Sequence, residues 1–315
     1  MFDAKEFVEE KIEEIKAAIP GRAVIACSGG VDSTVAAAIV SKAIGDRLLT
    51  VYVDTGFMRK GESATVSKIF DNLHLNYRII DASEEFFSAL KGITEPEQKR
   101  KIIGAGFIRV FEREAKAFHS EYLVQGTIAP DWIESGDKLR DTIKSHHNVG
   151  GLPEDMKLKL VEPLRDLYKD EVRKVARHLD VEVSEKQPFP GPALAIRVIG
   201  EPTRENVEIV REACAIVEEE LEAAAKRGEM ERPWQYFAVL LPVQSVGVQG
   251  DRRAYGRTIA VRAVESIDGM SAAYSRIPHD VLEKISLRIT SEMKANVNRV
   301  VYDITHKPPA TIEWE

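Results

Sequence analysis

Between residues 20 and 128, short unbroken apolar runs take turns with stretches of helical periodicity, and no other feature of the chain limits its architecture as much. "RAVIAC" is followed by "STVAAAIVSKAI", "RLLTVYV" by "ATVSKIFDNL", and "NYRII" by "EEFFSAL" and a long helical stretch that ends at "EYLVQGT". Strands that are apolar on both sides, separated by helices, predict an α/β fold: a parallel sheet with helices on both faces. Ahead of it, Phe7, Val8, Ile12, Ile15 and Ile19 recur at helical spacing and stop at "PG", which predicts a helix over about 3 to 19 covering one side of this domain. The long helix has a candidate capping box in Thr94-x-x-Glu97.

The alternation breaks at "EKQPFPGPAL". Beyond it we expect "LAIRVIG" as a strand, a helix to about Arg227, long strands in "WQYFAVLL" and "RTIAVRAVES", a helix from about Pro278 and a strand "NRVVYDIT". This is the pattern of a smaller α+β domain, so the predicted division is 1–190 and 191–315. Within the first domain, residues 129–157 lack a clean period and are rich in Gly, Asp and His, which predicts a long functional loop.

At the end of the first predicted strand stands "CSGGVDST", Cys27 to Thr34. Beyond the carboxyl end of a parallel strand, a helix N-terminus offers unpaired N–H groups to an anion. Gly29 and Gly30 let a phosphate approach the backbone, while Ser28, Ser33 and Thr34 add hydroxyls. Asp32 would repel that phosphate unless a divalent cation lay between them, which makes it a candidate magnesium ligand. The loop has neither the lysine of GxxxxGKS/T nor the spacing of GxGxxG. The same residues also make a serviceable strand-to-helix turn with Asp32 or Ser28 as cap.

With SGGxDS after an apolar strand, the chain resembles the ATP-pyrophosphatase, or PP-loop, superfamily, also called adenine nucleotide alpha hydrolase-like. Further stretches are similar to the GMP synthetase family: "VDTGFMRKGE", "PEQKRKIIG", "YLVQGTIAPDWIES", "IKSHHNVGGLP", "PFPGPALAIRVIGE", "LPVQSVGVQGDRRAYGRTIAVRAVES" and "VVYDITHKPPATIEWE". The resemblance runs from about residue 20 to the last residue. It implies ATP-dependent amination of xanthosine monophosphate (XMP) to GMP through an adenylyl intermediate, with release of AMP and pyrophosphate.

Carried over motif by motif, the resemblance gives Ser28, Gly29, Gly30, Val31, Asp32, Ser33 and Thr34 to the ATP phosphates, with Val53, Asp54, Gln125 and Gly126 also about the ATP. It gives Arg100, Asp131, His146, Lys307, Thr311, Ile312 and Glu313 to XMP. Lys144, in a loop that serves this family as a lid, joins Asp32 as a catalytic candidate. Read alone, Arg100 in "KRK" is an exposed charge, and Gly126 and Asp131 are equally a turn and a cap. His146 and His147, being adjacent, make a poor chelating pair, so zinc is not expected. Arg252, Arg253, Arg257 and Arg262 are either interface and phosphate ligands or surface charge.

Most bacterial and eukaryotic members of the family carry a glutamine amidotransferase domain ahead of the PP-loop domain. Only about 20 residues precede the first strand here, so we expect no glutaminase activity in this chain, ammonia from a separate glutaminase subunit, and a homodimer formed by the second domain. Within "PFPGPAL" the family more often has glycine at position 193, where this chain has Ala193, and a basic residue at position 187, where it has Gln187. The related alternative is NAD synthetase, which does not account for "KPPATIEWE" or "SVGVQGDRRAYGR". A tRNA-thiolating enzyme would call for paired cysteines or a basic surface. The chain has Cys27 and Cys214 far apart, and 44 basic against 51 acidic side chains with a formal net charge of -7. Nucleic acid is therefore not an expected partner. No apolar run approaches the roughly 18 residues of a membrane span, and a cytoplasmic protein is expected.

Overall fold

The computed structural model describes residues 2–130, 158–181, 187–249 and 251–315. They form two compact units that are not consecutive in sequence. The first takes Met1–Thr55, Gly61–Ser83 and Ala105–Lys186, and the second Gly56–Lys60, Glu84–Gly104 and Gln187–Glu315.

The first unit is a five-stranded sheet, all parallel, in the order β3-β2-β1-β4-β5. Its strands are β1 (Ala23–Ala26), β2 (Leu48–Asp54), β3 (Tyr77–Asp81), β4 (Tyr122–Val124) and β5 (Lys159–Val161). Ala23, Val24 and Ile25 are fully buried, as is nearly all of β2. Successive strand residues point to opposite faces, so both faces of the sheet are covered, as the apolar runs predict. The three-residue edge strand β5 has too little apolar content to announce itself in the sequence.

Helix α1 (Ala4–Ala18) is capped by the Asp3 carboxylate, which accepts from the amides of Lys5 and Glu6 at 2.9 and 3.2 Å. It buries Val8 and Ile15 and packs on α2 (Val31–Ile44), itself buried almost throughout. Helix α3 (Glu62–Asn72) follows β2, and α4 (Ser83–Ala89) follows β3. Helix α5 (Pro96–Ala117) opens differently from the predicted capping box. The Glu95 carboxylate, not Thr94, accepts from the amides of Glu97 and Gln98 at 3.0 and 2.6 Å. Pro96 fits the first helical position because an amide there would have no helical acceptor. Helix α6 (Lys169–His178) packs on α1 and α2.

In the second unit, α7 (Arg204–Lys226) lies on a four-stranded sheet. Strands β6 (Gln235–Gln249) and β7 (Arg252–Glu265) are antiparallel, β8 (Ala273–Tyr274) continues antiparallel, and β9 (Val297–Tyr302) runs parallel to β7. The register of β6 slips between Leu241 and Gln244, where Pro242 has no N–H to give the ladder. Helix α8 (His279–Glu292) packs on α7 and β9.

The expected strand "LAIRVIG" is a correction. Ala193–Arg197 form a 3-10 helix, and only Val198 makes a bridge, to Leu240. The segment is buried on every side, so its apolar run carries no period to tell a strand from a helix. Ala193 has φ of 56°, which accounts for glycine being the commoner family residue at that position.

Candidate active site

The first unit assembles the ATP candidates at the carboxyl edge of its sheet. The chain turns from β1 toward β2 in one direction and reaches β4 in the other, so the loop after β1 stands where an open α/β sheet holds its ligands. The Cys27 amide extends the ladder to Val51 at 2.9 Å before the chain leaves the sheet. Gly30 then takes the N-cap position of α2 in an extended conformation, with no side chain among the described residues capping the helix. The first-turn amides therefore lack the intramolecular acceptor that Asp3 gives α1.

Two glycines fit the loop for physical reasons. Gly29 has φ of +75°, and a Cβ there would lie 2.6 Å from Val66 Cγ2 of α3. At Gly126 a Cβ would lie 3.0 Å from Asp32 C, Ser33 Cα and Ser33 N, so the chain after β4 rests against the first turn of α2. Gly126 thus stands beside the loop, and the amide of its neighbour Gln125 bonds Val161 at 3.0 Å. The Ser33 hydroxyl donates to Gly30 O at 3.2 Å, and Ser28 Oγ accepts from the Gly30 amide at 3.4 Å. Thr34 is buried against Cys27 Sγ at 3.6 Å, which takes its hydroxyl into the core. At the end of β2, Val53 is buried and the Asp54 carboxylate accepts from Ser63 of α3 at 2.5 Å.

Asp32 carries the electrostatics of this edge. Its Oδ2 pairs with Lys169 Nζ at 2.8 Å, whereas its Oδ1 is buried with no partner among the described residues. A buried carboxylate oxygen without a donor is suited to a cation. Lys169 was not legible from sequence, because it stands 137 residues away on another helix. Lys144, Asp131, His146 and His147 lie outside the described residues.

The nucleotide-acceptor candidates Arg100, Lys307, Thr311, Ile312 and Glu313 belong to the second unit. Arg100 donates to the main-chain oxygen of Glu315 at 2.5 Å and pairs with Glu97 at 3.4 Å, so it is not the simple solvated charge that "KRK" suggests. Lys307 Nζ donates to Gly269 O at 2.8 Å. The Thr311 hydroxyl donates to Glu313 O at 2.5 Å, and Ile312 is buried. The Glu313 carboxylate receives Arg197 Nε and Nη2 at 3.1 and 2.9 Å, and Gln235 Nε2 at 2.9 Å.

Three cations lie against this tail, and of them Lys99 and Arg197 escaped the sequence reading. Lys99, Arg197 and Arg262 are each 0% exposed. Arg262 is therefore no surface charge, whereas Arg252 and Arg253 are exposed and Arg257 pairs with Glu205 at 3.4 Å. Lys99 pairs with the Glu315 carboxylate. Burial is the first cause of both their shifts: it pulls the Lys99 ammonium below its ordinary pKa and pushes the Glu315 carboxyl above its own, and their contact opposes both. Gln187 joins the same unit by donating to Glu218 at 2.8 Å and accepting from the Tyr236 amide at 2.7 Å. Cys214 is buried, and burial pushes its thiol up, as befits a core residue.

Comparison with known proteins agrees with this arrangement. Residues 222–314 match the family model for the GMP synthase C terminal domain, and residues 1–127 match that for NAD synthase. The chain is 61% identical over 313 residues to a protein of Pyrococcus horikoshii named as one of the subunits of GMP synthase (glutamine-hydrolyzing), covering 98% of each. It is 58% identical over 309 residues to the corresponding subunit of Thermoplasma acidophilum, again covering 98% of each. The chain belongs to the GMP synthase family. Membership carries the ligase chemistry of GMP formation with it, and the NAD synthetase alternative stays distant, being confined to the first 127 residues. GMP synthase (glutamine-hydrolyzing) of Clostridium tetani is 56% identical over 314 residues, which are 98% of this chain and 61% of that protein. Among the described residues no helix is long and apolar enough to cross a membrane.

Proposed function

We propose that the chain adenylates the C2 oxygen of XMP with ATP and replaces that oxygen by ammonia, giving GMP, AMP and pyrophosphate. The observation that carries this reading is the α2 N-terminus, uncapped among the described residues, beside a half-buried Asp32 whose Oδ1 has no partner among them, in a chain aligned over 98% of its length with a GMP synthase relative.

In the first step the C2 oxygen of XMP bonds to the α-phosphorus of ATP as the bond to pyrophosphate breaks. The first-turn amides of α2, the Gly29–Gly30 backbone and the Ser28 and Ser33 hydroxyls would hold the departing pyrophosphate. Thr34 is left to the helix core. Asp32 would hold a magnesium ion, which neutralises charge on the phosphates when bound. Lys169 orients the Asp32 carboxylate through its contact with Oδ2. Lys144 would complete the phosphate contacts, and His146 is assigned to XMP. In the second step the ammonia nitrogen bonds to C2, AMP leaves with the former C2 oxygen, and a proton is released. Arg100, Asp131, Lys307 and Thr311–Glu313 are assigned to XMP.

The ammonia source in this reading is a separate glutamine amidotransferase subunit. It is supported by the Pyrococcus and Thermoplasma relatives, which are named as single subunits of a glutamine-hydrolyzing enzyme, and by the longer Clostridium protein. We also read the chain as a homodimer through its second unit, supported by exposed Val243, Val246, Val248 and Tyr255 on the β6–β7 hairpin. A cytoplasmic setting is supported by Cys27 and Cys214 standing as thiols and not joined in a disulfide.

The deciding experiment supplies XMP labelled with heavy oxygen at C2, together with ATP and ammonium. The label is expected in the phosphate of AMP. Label remaining in solvent or passing to pyrophosphate would refute adenylation of that oxygen.

A further inference from the structure

Within the second unit, residues 303–315 are gripped by cations that have no contact with water. Arg262 donates to Thr305 O at 2.5 Å, Thr311 O at 3.1 Å and Ile312 O at 3.4 Å, and pairs with Asp303 at 3.2 Å. One guanidinium thus ties the start of this segment to its end. Arg197 binds Glu313 through two parallel hydrogen bonds and sits 4.1 Å from the Phe237 ring centroid and 5.0 Å from that of Phe189. Lys99 holds the Glu315 carboxylate while also donating to Val198 O at 2.8 Å and Ala195 O at 3.3 Å.

Stability is a poor reason for this construction. Burying an ion pair costs about as much desolvation as its attraction returns, and well-packed apolar residues often serve equally well. Buried charges do supply geometry: a guanidinium fork meets a carboxylate in one plane and at one distance. Both arginines direct that geometry at the segment that contains Lys307 and Thr311–Glu313, and Gln235 bonds the same Glu313 oxygen that faces Arg197 Nη2.

We infer that Arg197 and Arg262 are positioning residues for the acceptor nucleotide: acting through Glu313 and the main chain of 305–312, they set the distance between Lys307 and Thr311–Glu313 before the nucleotide arrives. Lys99 fastens the end of the same segment. The inference rests on the reading of those tail residues as the XMP contacts.

The test measures steady-state kinetics of Arg197→Lys and Arg262→Lys with XMP and ATP varied separately, alongside melting temperatures. Lysine keeps the charge and loses the fork. The expected result is a rise in KM for XMP of about tenfold or more, with kcat and KM for ATP nearly unchanged. A merely structural role would lower the active fraction, and so kcat, without moving KM for one substrate. An unchanged KM for XMP in folded Arg197→Lys, with wild-type protein making GMP normally, overturns the inference alone. Failure of wild-type protein to aminate XMP overturns the acceptor reading and this inference with it. Should the variants not fold, hydrogen exchange of the wild-type protein still decides. Amides of residues 305–313 that are protected equally with and without XMP support a preset segment, and protection that appears only with XMP overturns it.

Discussion

Replacing Gly29 by alanine tests the loop at its tightest point. The backbone there has φ of +75°, where an L side chain costs about 1–2 kcal/mol. The new Cβ would lie 2.6 Å from Val66 Cγ2, and Val66 is a fully buried β-branched residue with little freedom to turn away. Overpacking of that kind costs about 1–3 kcal/mol, so the expected loss is about 2–5 kcal/mol, a large part of the stability of an ordinary domain. Val66→Ala should relieve the crowding and leave the backbone strain. The double variant should therefore be more stable than the sum of the two single effects by about 1–3 kcal/mol. Urea unfolding followed by far-ultraviolet circular dichroism measures all three variants, and KM for ATP should rise in Gly29→Ala as the phosphate-facing backbone moves. A Gly29→Ala protein as stable as wild type, or strictly additive effects with Val66→Ala, would refute the account of the loop.

Other expectations follow from single contacts. Asp32→Asn should slow pyrophosphate release about a hundredfold or more while the melting temperature holds, whereas Lys169→Met, which breaks an exposed ion pair worth about 0–1 kcal/mol, should raise the magnesium concentration needed for half-maximal rate. Ala193→Gly should raise stability by up to about 1.5 kcal/mol in urea unfolding, since relief of about 1–2 kcal/mol of strain at φ of 56° is offset by about 0.5–1 kcal/mol of chain entropy. Burial, opposed by the contact with Arg232 and helped by that with Glu222, pushes the Tyr236 hydroxyl up to about 12 from 10.0. The folded state therefore holds this proton where the unfolded chain releases it. Its contribution is complete below pH 10.0 and is lost as pH rises toward about 12, at up to about 1.4 kcal/mol per pH unit. An ultraviolet titration in which Tyr236→Phe shows the same alkaline loss of stability as wild type would contradict that assignment.

The parallel sheet and the SGGxDS turn between β1 and α2 were legible because each is local. An apolar run of four to seven residues can be read as a strand wherever it falls, and SGGxDS places its own glycines. The segment Ala193–Arg197 was misread because a run buried on all sides has no polar face to reveal its period. Lys169 and the buried pair Lys99 and Arg197 were missed for a different reason, and Arg262 was named only with surface charge as an equal reading. Charged residues are read from sequence as solvated, and only the fold brings Arg197 to Glu313, 116 residues on, or Lys99 to Glu315, 216 residues on. Arg100 was found through the resemblance alone, since its own sequence context pointed the other way.

The central claim is that this loop releases pyrophosphate in the service of one acceptor. The direct measurement is pyrophosphate and AMP release by the purified chain with magnesium, ATP and ammonium, comparing XMP, nicotinate adenine dinucleotide and no acceptor. The account predicts pyrophosphate and AMP with XMP alone, in step with GMP. Release with nicotinate adenine dinucleotide and none with XMP would contradict it.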